Sequence, residues 1–137
     1  LVREVIKPAL ERGMCVIADR FFDSTSVYQG AARKLDGQII ECLNKFAVGD
    51  CLPDITFVLD VDAATAESRM KHEPRQADRM EQQPPEFYER VRKGYRDLAA
   101  REPRRVVLIN GTRDPDEIEH EIWTALSRRF PALYADG

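Results

Sequence analysis

The sequence predicts an α/β protein: a parallel sheet covered by helices on both faces. Three short, continuous apolar runs carry that prediction, Met14–Ala18, Ile55–Leu59 and Val106–Ile109. A run with no polar alternation marks a strand buried on both faces. Helical patterns separate the runs, and helix alternating with strand is the rhythm of such a sheet. Sheets of this kind bind ligands beyond the carboxyl ends of their strands. The polar residues at those ends are Asp19-Arg20, Asp60 with Asp62, and Asn110-Gly111.

Leu1–Arg12 reads as a helix with Val2, Val5, Ile6, Ala9 and Leu10 on one side. Pro8 is expected to kink it, and Gly13 can end it. No cap residue precedes this helix and Leu1 is not a start methionine, so an upstream part of the protein is expected. Met14–Ala18 follows as a strand, with Cys15 in the core. After the turn-forming Asp36-Gly37, a helical pattern runs through Ile39, Ile40, Leu43, Phe46 and Ala47. The second strand extends from Ile55–Leu59 through Asp60 to Val61. Asp62 stands where it can cap a helix from Ala63 to about Lys71. Pro84 and Pro85 open the next helix, whose Phe87, Tyr88, Val91, Tyr95 and Leu98 recur at helical spacing; Phe87 and Tyr95 read as core. In the last helix Asp114 is the N-cap, Pro115 the first helical residue and Glu117 the third. Its apolar stripe is Ile118, Ile122, Ala125, Leu126 and Phe130, with Trp123 off the stripe. Nothing along the chain looks like an internal repeat or an interdomain linker, so residues 1–137 are expected to belong to one domain.

Composition narrows the function classes. The 137 residues carry a net charge of −3, with 43% hydrophobic and 33% charged side chains, a globular composition. No apolar run approaches the length of a membrane span, so no membrane partner is expected. A mildly acidic total argues against a nucleic acid polymer as partner. Three cysteines without C-x-x-C spacing disfavour a disulfide framework or a zinc site and suit a reducing cytoplasm. Eleven of the 21 basic residues fall within residues 69–105, where either an anion docks or a solvated basic helix lies.

The densest polar constellation is Asp19-Arg20-Phe21-Phe22-Asp23-Ser24-Thr25-Ser26-Val27-Tyr28-Gln29-Gly30. An arginine at a strand end can fork onto a phosphate through paired, charge-assisted hydrogen bonds. The neighbouring Asp19 can orient it or face a hydrated metal ion. Thr25, Tyr28 and Gln29 supply a hydroxyl, a flat ring and an amide, groups that suit a sugar and a base.

This string resembles the D-R-[FY]-x-x-S-x-x-A-Y-Q-G motif of the thymidylate kinase family, with Val27 where alanine is usual. The likeness continues through Pro53-Asp-Ile-Thr-Phe-Val-Leu-Asp-Val61, through Asp78-Arg79-Met80-Glu81 followed by Phe87, Val91, Tyr95 and Leu98-Ala99, and into Ile109-Asn110-Gly111. The resemblance implies a three-layer, P-loop kinase-type α/β fold and transfer of a phosphoryl group from Mg-ATP to dTMP, giving dTDP and ADP. By the same resemblance Arg20 would hold the dTMP phosphate, with Asp19 near that phosphate and the magnesium ion, reached through water. Thr25 and Gln29 would contact thymine. Tyr28 would lie under the deoxyribose and disfavour a 2′-hydroxyl. Ser24 is open to two readings, a cap of its local helix or a substrate contact. The segment at about 69–83 resembles the family's lid, with Arg75 and Arg79 as the arginines that reach the transferring phosphates, Glu81 pairing locally and Arg69 pairing along its own helix. The family's lid glycine is absent here, and His72-Glu73-Pro74 stands in the segment. Asn110 and Gly111 resemble the adenine-side loop. A cytoplasmic homodimer is implied, to which the first helix would contribute.

No G-x-x-x-x-G-K-[ST] occurs among the seven glycines, although phosphoryl transfer from ATP on this fold uses that loop. In the family it follows the first strand, so 1–137 is expected to be the C-terminal two-thirds of one nucleoside-monophosphate-kinase-like domain with its N-terminal strands missing. The family's first strand lies between the third and fourth. The chain alone is therefore expected to show a gapped sheet or a non-native strand pair, and to be marginally stable and inactive. Another deoxynucleotide or deoxynucleoside kinase of the same fold is the alternative in chemistry; a non-catalytic nucleotide-binding relic is the alternative in kind.

Overall fold

A computed structural model describes residues 1–32, 36–72 and 83–134. It divides into two compact units, Leu1–Asp54 with Gln83–Tyr95, and Ile55–Gln82 with Arg96–Gly137.

The first unit is helical. A π-helical turn, Val2–Ile6, passes into α1, Lys7–Glu11, with Pro8 in its first turn. The helix type changes beside Pro8, the residue that lacks an N–H. Gly13 adopts φ +74° and turns the chain out of the helix. Phe22–Thr25 forms α2, which continues as the π-helical Ser26–Ala32. In α3, Gly37–Val48, the cap is Asp36, whose carboxylate accepts from the Gln38 N–H at 2.9 Å. Lys7 donates to Asp50 at 2.7 Å, and that hydrogen bond holds the Asp50 carboxyl below its usual range. Among the described residues, Ile6, Ala9, Val27, Ile40, Val48, Phe87 and Val91 are the buried apolar residues of this unit.

Two expectations are corrected here. Met14–Ala18 is not a strand; it is irregular backbone, with Cys15 exposed rather than in the core and Ile17 93% exposed. An apolar run becomes a strand only when a neighbouring strand takes up its backbone hydrogen bonds; the Met14 N–H instead bonds back to the Ala9 carbonyl at 3.1 Å, and among the described residues no strand pairs with the run. The α3 stripe also divides. Ile40 packs over Gly30, 3.8 Å from where a β-carbon would stand, and Asn44 one turn on donates to Ser26. Ile39, Leu43 and Phe46 face away and are exposed, because the helical segment that α3 meets covers only the Ile40–Asn44 side.

In the second unit β1, Thr56–Asp60, pairs in parallel with β2, Val106–Asn110, in register from Thr56 opposite Val106 to Asp60 opposite Asn110. Val58, Val106 and the fully buried Ile109 form its centre. Arg105 closes the amino end, donating to Glu102 at 2.7 Å and to the Thr56 hydroxyl at 3.2 Å. The helix α4, Ala63–His72, begins where the Asp62 carboxylate accepts from both the N–H and the hydroxyl of Thr65 at 2.8 Å. Pro85–Arg101 is α5, which starts in the first unit and ends in the second. The last helix, α6, Pro115–Arg129, is capped by Asp114, which accepts from the Asp116 N–H at 3.0 Å. A 3₁₀ turn, Pro131–Tyr134, follows. Among the described residues no helix is long and apolar enough to cross a membrane.

Candidate active site

The Asp19–Gly30 string builds a compact polar and aromatic cluster in the first unit. Arg20 takes φ +63°, the left-handed region. A residue with a β-carbon holds that conformation at a cost of order 1–3 kcal/mol, and such strain gathers at functional sites. Phe21 then returns to extended backbone and α2 starts, the Ser24 N–H bonding the Phe21 carbonyl at 3.0 Å. The Arg20 guanidinium lies 5.8 Å from the centre of the Tyr28 ring, within cation–π reach. Tyr28 is itself held from two sides. Phe87 sits 6.0 Å away at 50°, and Tyr95 6.4 Å away at 78°, an edge-to-face contact. The Tyr95 and Ser24 hydroxyls are 3.0 Å apart and share a hydrogen bond. Asp23 is only 5% exposed. Burial pushes the Tyr95 phenol above its ordinary value; the Ser24 hydrogen bond acts in the opposite sense, while Tyr28 and Asp23 add to the rise and Arg20 opposes it.

A second group forms at the carboxyl end of the two-stranded sheet. The Gly111 N–H donates to the Asp60 carbonyl at 2.9 Å. A β-carbon on Gly111 would lie 2.7 Å from Val61 Cγ2 and 3.1 Å from Leu59 Cβ, so only glycine lets the loop close this tightly on β1. Asn110 accepts from the Thr112 N–H at 3.0 Å and from its hydroxyl at 2.6 Å. Asp60 receives two bonds from Arg96, at 2.6 and 3.1 Å. Arg69 does not pair along α4. It donates to the Gly111 carbonyl at 2.9 Å, while Lys71 makes the intrahelical pair, with Glu67.

Of the residues singled out in the sequence, Arg20 and Tyr28 come together. Asp19 and Thr25 are exposed in the same unit and Gln29 is half-buried there. Asn110 and Gly111 adjoin one another in the second unit. Arg75, Arg79 and Glu81 lie outside the described residues. Three features escape the sequence reading: the burial of Asp23, the bond from Arg69 to the loop, and the Ser24–Tyr95 pair. Ser24 is not a helix cap, since Phe21 holds that position with no side-chain capping bond. The available signal was a serine beside an acid, Asp23-Ser24, and a tyrosine, Tyr95, among the apolar residues at helical spacing. Among the described residues no three metal-ligating side chains gather.

The parallel β1–β2 pair carries the tight Asn110-Gly111 turn at its carboxyl end, the position where sheets of this class bind ligands; Arg20, expected at a strand end, instead follows irregular backbone in the first unit. Comparison with known proteins makes the class specific. The sequence model of the thymidylate kinase family matches residues 1–122. The thymidylate kinase of Deinococcus radiodurans is 44% identical over 129 residues, covering 94% of this chain and 62% of that protein. That of Prosthecochloris aestuarii is 46% identical over 142 residues, covering 97% and 64%. The crystal structure of the Ehrlichia chaffeensis thymidylate kinase superposes with a TM-score of 0.67 at 35% identity, over 91% of this chain and 55% of that one. The chain belongs to the thymidylate kinase family, and its fold is the α/β, P-loop kinase type. It spans 62% and 64% of the length of the two curated relatives named.

Proposed function

We propose that the protein of which these residues form part is a dTMP kinase, moving the γ-phosphoryl group of Mg-ATP onto dTMP to give dTDP and ADP. The observation that carries the reading is Arg20, held in a strained backbone conformation with its guanidinium over Tyr28, in a chain of this family. Phosphoryl transfer needs little covalent help from protein, so positioning and charge stabilisation dominate. Arg20 forks onto the acceptor phosphate. The Tyr28 face supports the deoxyribose and crowds a 2′-hydroxyl, and Thr25 and Gln29 meet the thymine edge. Asn110 and Gly111 border the adenine of the donor. The segment 69–83 acts as the lid of a single domain, with Arg75 and Arg79 neutralising charge on the transferring group and excluding water.

Magnesium fits this residue set as an ion carried with the donor. It binds through one or two carboxylates plus phosphates and waters, and Asp19 is an exposed carboxylate beside Arg20. When bound, the ion neutralises charge that develops on the phosphates. Exposed, free Cys15 and Cys42 suit a reducing cytoplasm. The exposed Val5 on the first helical segment supports its place in a homodimer, which sedimentation of the full-length protein would register as twice the protomer mass.

The test is Arg20→Ala in the full-length protein. Two charge-assisted bonds to a phosphate correspond to about a hundredfold or more in dTMP phosphorylation. Loss of that size with the melting temperature retained is the expected result. Unchanged kinetics would overturn the assignment, and dTMP binding without ATP-dependent turnover in the unmutated protein would make it a nucleotide-binding relic.

A further inference from the structure

We propose that Tyr95 and Ser24 are positioning residues for the acceptor phosphate, acting through Tyr28 on Arg20; this rests on the function proposed above. Tyr95 stands on α5 and Ser24 on α2, 71 residues apart, and their hydroxyls meet at 3.0 Å. Both side chains had local alternatives. A serine in the first turn of a helix commonly bonds its own backbone, and α2 has no side-chain capping bond. A half-buried phenol needs a hydrogen-bond partner, and the Ser24 hydroxyl supplies it. The bond therefore fixes the rotation of α2 relative to Tyr95, four residues after Arg20 and four before Tyr28.

The ring of Tyr95 then does the positioning. Its edge-to-face contact with Tyr28, 6.4 Å and 78°, sets the plane of the ring over which the Arg20 guanidinium lies at 5.8 Å. Arg20 already sits in a backbone conformation that favours relaxation, so its fork keeps a fixed direction only while the ring beneath it is fixed. Removing the Tyr95 hydroxyl frees Ser24 to bond its own helix and lets the Tyr95 ring turn. Tyr28 and Arg20 lose orientation, and the acceptor binds more weakly while the transfer step at saturation is unaffected.

The experiment uses the full-length protein with Tyr95→Phe, Ser24→Ala and the double variant, measuring equilibrium binding of dTMP together with kcat and the KM for dTMP and ATP. Loss of one ordering hydrogen bond corresponds to about three- to tenfold in affinity. Each single variant should weaken dTMP by that factor and raise its KM likewise, with kcat and the ATP KM within about twofold. The double variant should be no weaker than the weaker single, because one bond is lost in all three. A drop in melting temperature with dTMP affinity unchanged would assign the pair a structural role only and overturn the proposal, as would additive losses in the double variant. If Arg20→Ala abolishes dTMP binding while Tyr95→Phe leaves it intact, this inference fails alone; if Arg20→Ala leaves binding intact, the proposed function fails first.

Discussion

Arg20 concentrates the residue-scale argument. Its left-handed φ is unusual for a side chain with a β-carbon, and its neighbours give that strain a use by fixing where the guanidinium lies. The side-chain types of the Asp19–Gly30 string were legible because an arginine, hydroxyls, a ring and an amide in twelve residues state their chemistry openly. The Ser24–Tyr95 bond was not legible, because no periodicity links positions 71 apart. Tyr95 also yields a prediction in pH. Burial raises its folded value above the unfolded value near 10, so the neutral phenol is favoured on folding. That contribution to stability is complete below about pH 10 and is lost as pH rises through the folded value. In an ultraviolet titration of the full-length protein, Tyr95→Phe should remove a tyrosine transition lying above the ordinary range. Removal of a transition at or below that range would contradict the assignment.

At the scale of elements, β1, β2 and α4 to α6 follow from signals that act locally. Asp62 and Asp114 cap helices through bonds to residues two or three positions on, and such caps can be read from sequence because they require no distant partner. Asp114→Ala should lower stability by about 1 kcal/mol, read as a shift in denaturant midpoint with the slope unchanged. Gly111 is held differently, by its closeness to Val61 and Leu59. Gly111→Ala should cost about 1–3 kcal/mol through overpacking; an unshifted midpoint would mean that the loop accommodates a β-carbon. Met14–Ala18 shows where local reading stops. Its composition is that of a buried strand, yet Ile17 is almost wholly exposed, because burial depends on a neighbour that five residues cannot encode. The outer face of α3 shows the same limit. Ile39, Leu43 and Phe46 carry helical spacing, but spacing does not say what lies opposite.

For the whole molecule, apolar exposure and a two-stranded sheet have a joint consequence. Two strands bury little on their own, and Ile17 and Phe46 are 93% and 88% exposed. Residues 1–137 prepared alone should bind a hydrophobic dye strongly and show no ATP-dependent turnover of dTMP; turnover by these residues alone would show that they form a complete site despite that exposure. The proposal that the Arg20–Tyr28–Tyr95 cluster belongs to an acceptor site for a thymidine monophosphate is decided by comparing kcat/KM of the full-length protein for dTMP, dUMP and thymidine under saturating Mg-ATP. dTMP is expected to be the preferred acceptor by about tenfold or more, with thymidine inert because it offers Arg20 no phosphate. Equal use of thymidine, or preference for another nucleotide, would contradict that proposal.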